Sequence, residues 1–280
     1  MKKQILPFLT CLAAFAAGAQ TPAQIEVSYT AHHPNLRNGV DDLTCQYILL
    51  AGEEASKFYS PRTEYLDSLN SSPEGKAQIQ EITRNAAMSG DWDGIPRADG
   101  SYYVVKDGSN NILTYYDLSG TEKFCYDEPI AAIDWQIGDS TKSILGYECF
   151  EATADLYGRK WAVWFAPEIP LAAGPWKLAG APGLILEAAA EGNQYRFVAT
   201  GLQQTERAIL PVYLADEYEK TSRLDFLRAK RAFLENPIGS INAQFASQGV
   251  SLTRVTDADG KESDRLFVPR ETVDLIETDY

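Results

Sequence analysis

Between Ser101 and Leu202 turn-forming clusters interrupt the chain about every 8–12 residues, a spacing that suits hairpins and leaves no room for helical crossovers. Asp107-Gly108-Ser109-Asn110 separates Tyr102–Lys106 from Asn111–Asp117, and Ser119-Gly120 leads into Glu122–Tyr126. A strand over Ile130–Ile137 would turn at Gly138-Asp139-Ser140. Ser143–Asp155 reads as one long strand with Gly146 at a bulge. Tyr157-Gly158 turns the chain into Lys160–Phe165, where Trp161, Val163 and Phe165 share a face. Leu184–Ala189 and Tyr195–Leu202 pair about Glu191-Gly192-Asn193. Ile25–Tyr29, Gln46–Ala51 and Ile209–Leu214 add strands, and Ser251–Thr256 with Arg265–Val268 a last hairpin.

Two helices interrupt this pattern. Ser72-Pro73-Glu74 is an N-cap, a first-turn proline and an early acid, and Gly90 would end that helix. Ser222 caps an amphipathic segment carrying Leu224, Phe226, Leu227, Phe233 and Leu234, which Asn236-Pro237 stops. The expected fold is α+β: a large, curved or partly barrel-like antiparallel sheet with two helices, one packed on the sheet. No linker or repeat divides the chain, so residues 20–280 read as a single domain.

Residues 1–19 have the anatomy of a secretory signal peptide: Lys2 and Lys3, an apolar run from Ile5, and Ala17-Gly18-Ala19 at the cleavage site. The expected location is periplasmic or extracellular. The apolar run is too short to span a bilayer, and no second run of membrane length follows. With 39 acidic against 25 basic residues the formal charge is −14, which argues against nucleic acid and anionic lipid as partners.

The sequence holds few reactive constellations. Nucleophile elbows, phosphate loops and dinucleotide fingerprints are missing. The only histidines, His32 and His33, would point to opposite faces if they continue the first strand, and so cannot share a metal. Asp91-Trp92-Asp93-Gly94 and Asp257-Ala258-Asp259-Gly260 alternate acids before a glycine, but neither completes a calcium loop, and both suit ordinary turns. No cofactor or metal is expected. Beyond the signal segment the cysteines are Cys45, Cys125 and Cys149. In a meander Cys125 and Cys149 would lie two strands apart, roughly 10 Å, too far for a disulfide.

The block from Trp135 to Ile185 carries the most specific pattern. It holds Trp135-Gln136-Ile137, Gly146-Tyr147-Glu148-Cys149, Gly158-Arg159-Lys160-Trp161, Trp164, Pro167-Glu168-Ile169-Pro170, Gly174-Pro175-Trp176-Lys177-Leu178 and Gly180-Ala181-Pro182-Gly183-Leu184-Ile185. This resembles the GLPGLI family of secreted Bacteroidota proteins, with Ala181 in place of the motif's first Leu. The family has no assigned activity, so the resemblance implies export and no catalytic residue.

Read physically, Pro182 and Gly183 suit a type II turn. Arg159, Trp164, Lys177, Gly180, Pro182 and Gly183 would line a ligand or partner surface beside a stiff crossover loop. The expected role is non-enzymatic: binding an apolar ligand or an envelope protein in an apolar groove of the sheet. The alternatives are a carboxylate-based hydrolase of peptide or glycan, and a structural or assembly protein without a small ligand.

Overall fold

A computed structural model describes residues 21–34, 42–92, 94–245 and 273–280. The elements are β1 (Ile25–Pro34), β2 (Asp42–Ala51), β3 (Ala55–Tyr59), α1 (Pro61–Asn70), α2 (Pro73–Ser89), β4 (Tyr103–Asp107), β5 (Ile112–Ser119), β6 (Glu122–Pro129), β7 (Gln136–Ile144), β8 (Tyr147–Leu156), β9 (Arg159–Ala166), β10 (Leu184–Ala190), β11 (Arg196–Gln204), β12 (Glu219–Lys220), α3 (Arg223–Glu235) and α4 (Pro237–Phe245). The twelve strands form one sheet in the order β12-β6-β5-β4-β3-β2-β1-β11-β10-β9-β8-β7. Every pairing is antiparallel except the short β12–β6 contact. The expected α+β fold with a large antiparallel sheet is what the chain adopts.

Local chemistry explains the elements. Alternation in β1 buries Ile25, Val27, Tyr29 and Ala31 on one face. The Ser72 hydroxyl accepts the Gly75 N–H at the start of α2, and Gly90 ends it at φ 76°. Ser222 accepts the Asp225 N–H at the start of α3, whose Phe226 and Leu227 are buried. Helices α1 and α4 join the two expected ones. Helix α1 starts with Ser60 as N-cap and Pro61 in its first turn, the same signature that announces α2.

Four local expectations are corrected. Residues 130–135 are not a strand; Trp135 instead donates its indole N–H to the Ala179 carbonyl at 2.9 Å. Gly138-Asp139-Ser140 lie within β7, where the register slips between Ile137 and Thr141. Gly146 is a hairpin turn, not a bulge: Leu145 and Gly146 take φ of 52° and 87°, and they split the supposed long strand into β7 and β8. Ile209–Leu214 forms no strand; only a single Pro22–Ala208 bridge lies nearby.

The meander breaks between β6 and β7: β1–β6 and β7–β11 each run in sequence order, but β6 and β7 stand near opposite ends of the sheet. Cys125 on β6 and Cys149 on β8 stand near opposite ends of the strand order, and Cys45, Cys125 and Cys149 are all free thiols. The last hairpin, the signal segment, Asp93 and the Asp257–Gly260 cluster lie outside the described residues.

The concave face holds a continuous aromatic core. Tyr47 stacks on Phe58 at 4.7 Å and on Tyr102 at 4.8 Å; Tyr102 meets Tyr115 at 5.7 Å, and Tyr115 meets Tyr126 at 5.2 Å. Helix α3 closes this ladder with Phe226, 5.8 Å from Tyr126. The loop between β9 and β10 fills the rest. Ile169, Leu171, Ala173, Trp176, Leu178 and Ala181 are all buried, and Trp176 meets Trp161 at 5.4 Å in a tilted contact. The expected apolar groove is therefore occupied by the chain's own loop.

That loop satisfies its backbone while buried, as it must. Leu171 and Ala173 donate to the carbonyls two residues earlier, each at 2.8 Å, and Ile185 N–H reaches the Ala173 carbonyl at 3.0 Å. The motif turn is tighter than type II. Gly183 N–H bonds the Ala181 carbonyl at 2.7 Å, and Gly183 has φ 150°. A Cβ at Gly183 would overlap the Ala166 carbonyl. Gly183→Ala is expected to cost about 2 kcal/mol or more in thermal unfolding. Ala181 is 1% exposed, so Ala181→Leu overpacks the core and should cost about 1–3 kcal/mol. Wild-type melting of either variant would refute this packing.

Candidate functional site

The six residues expected at one surface are distributed over the fold. Lys177 is buried in the concavity and Trp164 stands on the opposite face of β9, half-buried under the Lys142 ammonium at 4.3 Å. Arg159 opens β9 beside the Tyr157-Gly158 turn and donates to the Ile276 carbonyl at 2.9 Å. Gly180 and Pro182 are exposed, and Gly183 is buried.

Lys177 is the centre of a closed ion cluster. Its ammonium lies 2.6 Å from Glu128, 2.7 Å from Glu277 and 2.9 Å from the Tyr126 hydroxyl. The rings of Tyr157, Tyr126 and Tyr115 surround it at 4.4–5.0 Å. Arg223 of α3 pairs with Glu277 at 2.6 Å. Glu128 and Glu277 are the kind of paired carboxylates that acid–base hydrolysis uses, but both are spent on cations inside the core.

A second polar cluster lies at another edge of the concavity. Asp117, on β5, is fully buried and accepts from Ser101 Oγ at 2.5 Å, its neighbour's Leu118 N–H at 2.7 Å and the Tyr115 hydroxyl at 3.2 Å. The Lys230 ammonium of α3 also donates to it. His33 continues β1, on the strand face that carries Tyr29 and Ala31 inward, and its ring stacks on Tyr195 at 6.4 Å. His33 Nε2 sits 3.3 Å from Cys45 Sγ. Unlike Lys177, His33 and Lys230 keep partial exposure.

Protonation decides which of these groups can react. Burial holds His33 below the usual imidazole range, assisted by the Lys230 charge, so it is neutral at pH 7. Burial pushes the Cys45 thiol up to about 11, with the Asp99 charge adding to the shift. A thiol donating to the Asp99 carbonyl is not a primed nucleophile, although His33 is in contact. Asp117 is likewise a fully buried carboxylate, held by one cation and two hydroxyls, but its cation, Lys230, keeps partial exposure. Sequence reasoning passed over Asp117. Its only signal was an acid in the inward phase of an alternating strand, between Tyr115 and Ser119. Among the described residues no group of His, Cys, Asp and Glu is arranged to hold a metal ion.

Comparison with known proteins redirects the reading of the chain. A model of the family described as "N-glycanase peptide, N-terminal domain", of PNGase F-II, matches residues 96–230, just under half of the chain. Two crystal forms of PNGF-II, C2 and P21, align at 14% identity with TM-scores of 0.48 and 0.49. Each alignment covers 74% of this chain, and 32% and 33% of the respective solved chain. The chain thus spans about a third of the length of the solved structures it matches. No curated protein matches it. The resemblance to the GLPGLI family is overturned, because the N-glycanase match covers the same Trp135–Ile185 block that carried it. The carrier role falls with it, since the groove is filled and the matching family is one of glycan processing.

Proposed function

We propose that the chain works in N-glycan processing, as a carboxylate-assisted hydrolase acting on glycan-bearing peptide at the Asp117 edge of the sheet. The observation that carries this reading is the N-glycanase match over residues 96–230, which includes Asp117 and ends on Lys230. Hydrolysis of a glycan–peptide linkage needs a water polarised by a base and a donor for the leaving group. In this reading Asp117 takes the first role, which requires the Lys230 contact over its buried carboxylate to open and admit the water. Lys230, Ser101 and Tyr115 hold its carboxylate in one orientation. Neutral His33 is the nearby proton carrier.

Export by a signal peptide cleaved after Ala19, and residues 20–280 acting as one unit, belong to the same proposal. No helix among the described residues is long and apolar enough to cross a membrane. The full chain incubated with an N-glycosylated peptide should release glycan, read by mass spectrometry. Asp117→Asn should cut that rate by about 10²-fold. A wild-type chain that releases nothing, or an Asp117→Asn variant of unchanged rate, would sink the hydrolase reading.

A further inference from the structure

The segment Val273–Tyr280 lies across the gap between the β8–β9 turn, β6 and α3, and it is seated like a bound peptide. Its burial alternates: Val273, Leu275 and Glu277 are buried at 7%, 3% and 1% exposure, and Asp274 and Ile276 between them are half-buried, Ile276 against the core. It is not a strand of the sheet, and a single backbone N–H, that of Thr278, bonds the sheet side, at the Tyr157 carbonyl, 2.9 Å away.

The Thr278 hydroxyl adds a bond to the Gly158 carbonyl at 3.0 Å, and side chains of the groove do the rest of the recognition. Arg159 bonds the Leu275 and Ile276 carbonyls and pairs with Asp274 at 2.5 Å. Tyr195 donates its hydroxyl to the Asp274 carbonyl at 2.5 Å. Arg223 holds Glu277 at 2.6 Å and forks onto Asp279 at 2.8 and 3.0 Å. Lys177 meets Glu277 at 2.7 Å from inside. Arg231 bonds the Tyr280 hydroxyl at 3.1 Å. Gly158 leaves the space the segment needs, because a Cβ there would strike Thr278.

Four cations therefore converge on a strip of chain carrying three acids, in a protein whose formal charge is −14. Sheet pairing would be indifferent to sequence. This contact set reads an apolar residue, a second apolar residue two positions on, and an acid two positions further. We propose that this groove is a recognition site for an acidic, extended peptide of that pattern, and that residues 273–280 are its resident occupant in cis. The inference stands on the groove alone and is independent of the glycan reading.

The test uses the full chain and a synthetic octapeptide, Val-Asp-Leu-Ile-Glu-Thr-Asp-Tyr. Leu275→Asp in the protein unseats the resident segment and should lower the melting temperature. Excess octapeptide should restore it saturably. The peptide with Gln in place of its Glu should need at least about tenfold more, because it loses a charge-assisted pair with Lys177 and Arg223. If Leu275→Asp yields no folded protein, Thr278→Pro, which deletes the one backbone bond to Tyr157, supplies a more weakly held segment. Rescue by the octapeptide supports the proposal. Absence of rescue in a folded variant, or equal rescue by the Gln peptide, overturns it.

Discussion

Lys177→Met is expected to lower the free energy of unfolding by about 3–5 kcal/mol, the cost of leaving a buried carboxylate without its partner. Lys177 is 1% exposed and sits between Glu128 and Glu277 at 2.6 and 2.7 Å. Methionine keeps much of the length and apolar stem but provides no charge. Glu277, also 1% exposed, would keep Arg223; Glu128 would keep the Tyr157 hydroxyl and the Arg223 Nε at 3.8 Å. The loss propagates because Lys177 rides on the loop that fills the concavity and reaches across to β6. A melting-temperature drop on the order of 10 °C follows for a chain of this size. Adding Glu128→Gln should recover part of it, since one uncompensated charge is removed. A single variant within 1 kcal/mol of wild type, by denaturant titration, would show that the cluster does not hold the fold.

This cluster also marks the limit of what the chain discloses before it folds. Strand existence was legible wherever alternation and turn chemistry agreed: Trp161, Val163 and Phe165 are the buried face of β9, and Tyr157-Gly158 is the turn before it. Helix boundaries were legible because Ser72, Gly90 and Ser222 act through local hydrogen bonds. Pairing was not. Local sequence signals in β6 do not reveal that β7 abandons it for the far end of the sheet. Gly138-Asp139-Ser140 has turn composition, yet tertiary pairing with β8 holds it in strand, and Leu145 supplies a turn residue that composition disguises.

The site was obscured for a related reason. Arg159 and Lys177 were expected at a ligand or partner surface. Their partners Asp274 and Glu277 lie about a hundred residues away, so only the folded chain shows that both cations are already paired. Asp117 was hidden by its ordinary place in an alternating strand.

The remaining large effect is on pH. Stability is expected to rise from pH 7 toward 9.5 and then to collapse beyond pH 10. Lys106 lies on β4 with its ammonium on the Leu178 carbonyl at 3.0 Å and no carboxylate beside it among its described contacts. Burial, reinforced by the Lys177 charge, pulls it down to about 7. A lysine lowered in the fold binds fewer protons there than in the unfolded chain between pH 7 and its ordinary value near 10.5. Stability therefore rises with pH across that window, by a few kcal/mol at most. Below pH 7 the penalty is present in full.

Tyrosines act in the opposite sense. Burial raises Tyr29, Tyr47, Tyr102, Tyr103, Tyr115 and Tyr126 well above 10. They stay protonated in the fold while unfolded phenols ionise near pH 10. Each costs about 1.4 kcal/mol per pH unit past that point, so six together cost roughly 8 kcal/mol per unit. Denaturant titrations at pH 6.5, 8, 9.5 and 11 should trace the rise and the fall. Lys106→Met should flatten the rise and leave the alkaline collapse in place. A rise that persists in Lys106→Met would take Lys106 out of the account. Phenolate absorbance amounting to nearly all fifteen tyrosines at pH 11, in a chain that stays folded, would show that the aromatic ladder is open to water, and with it that the β9–β10 loop does not fill the sheet.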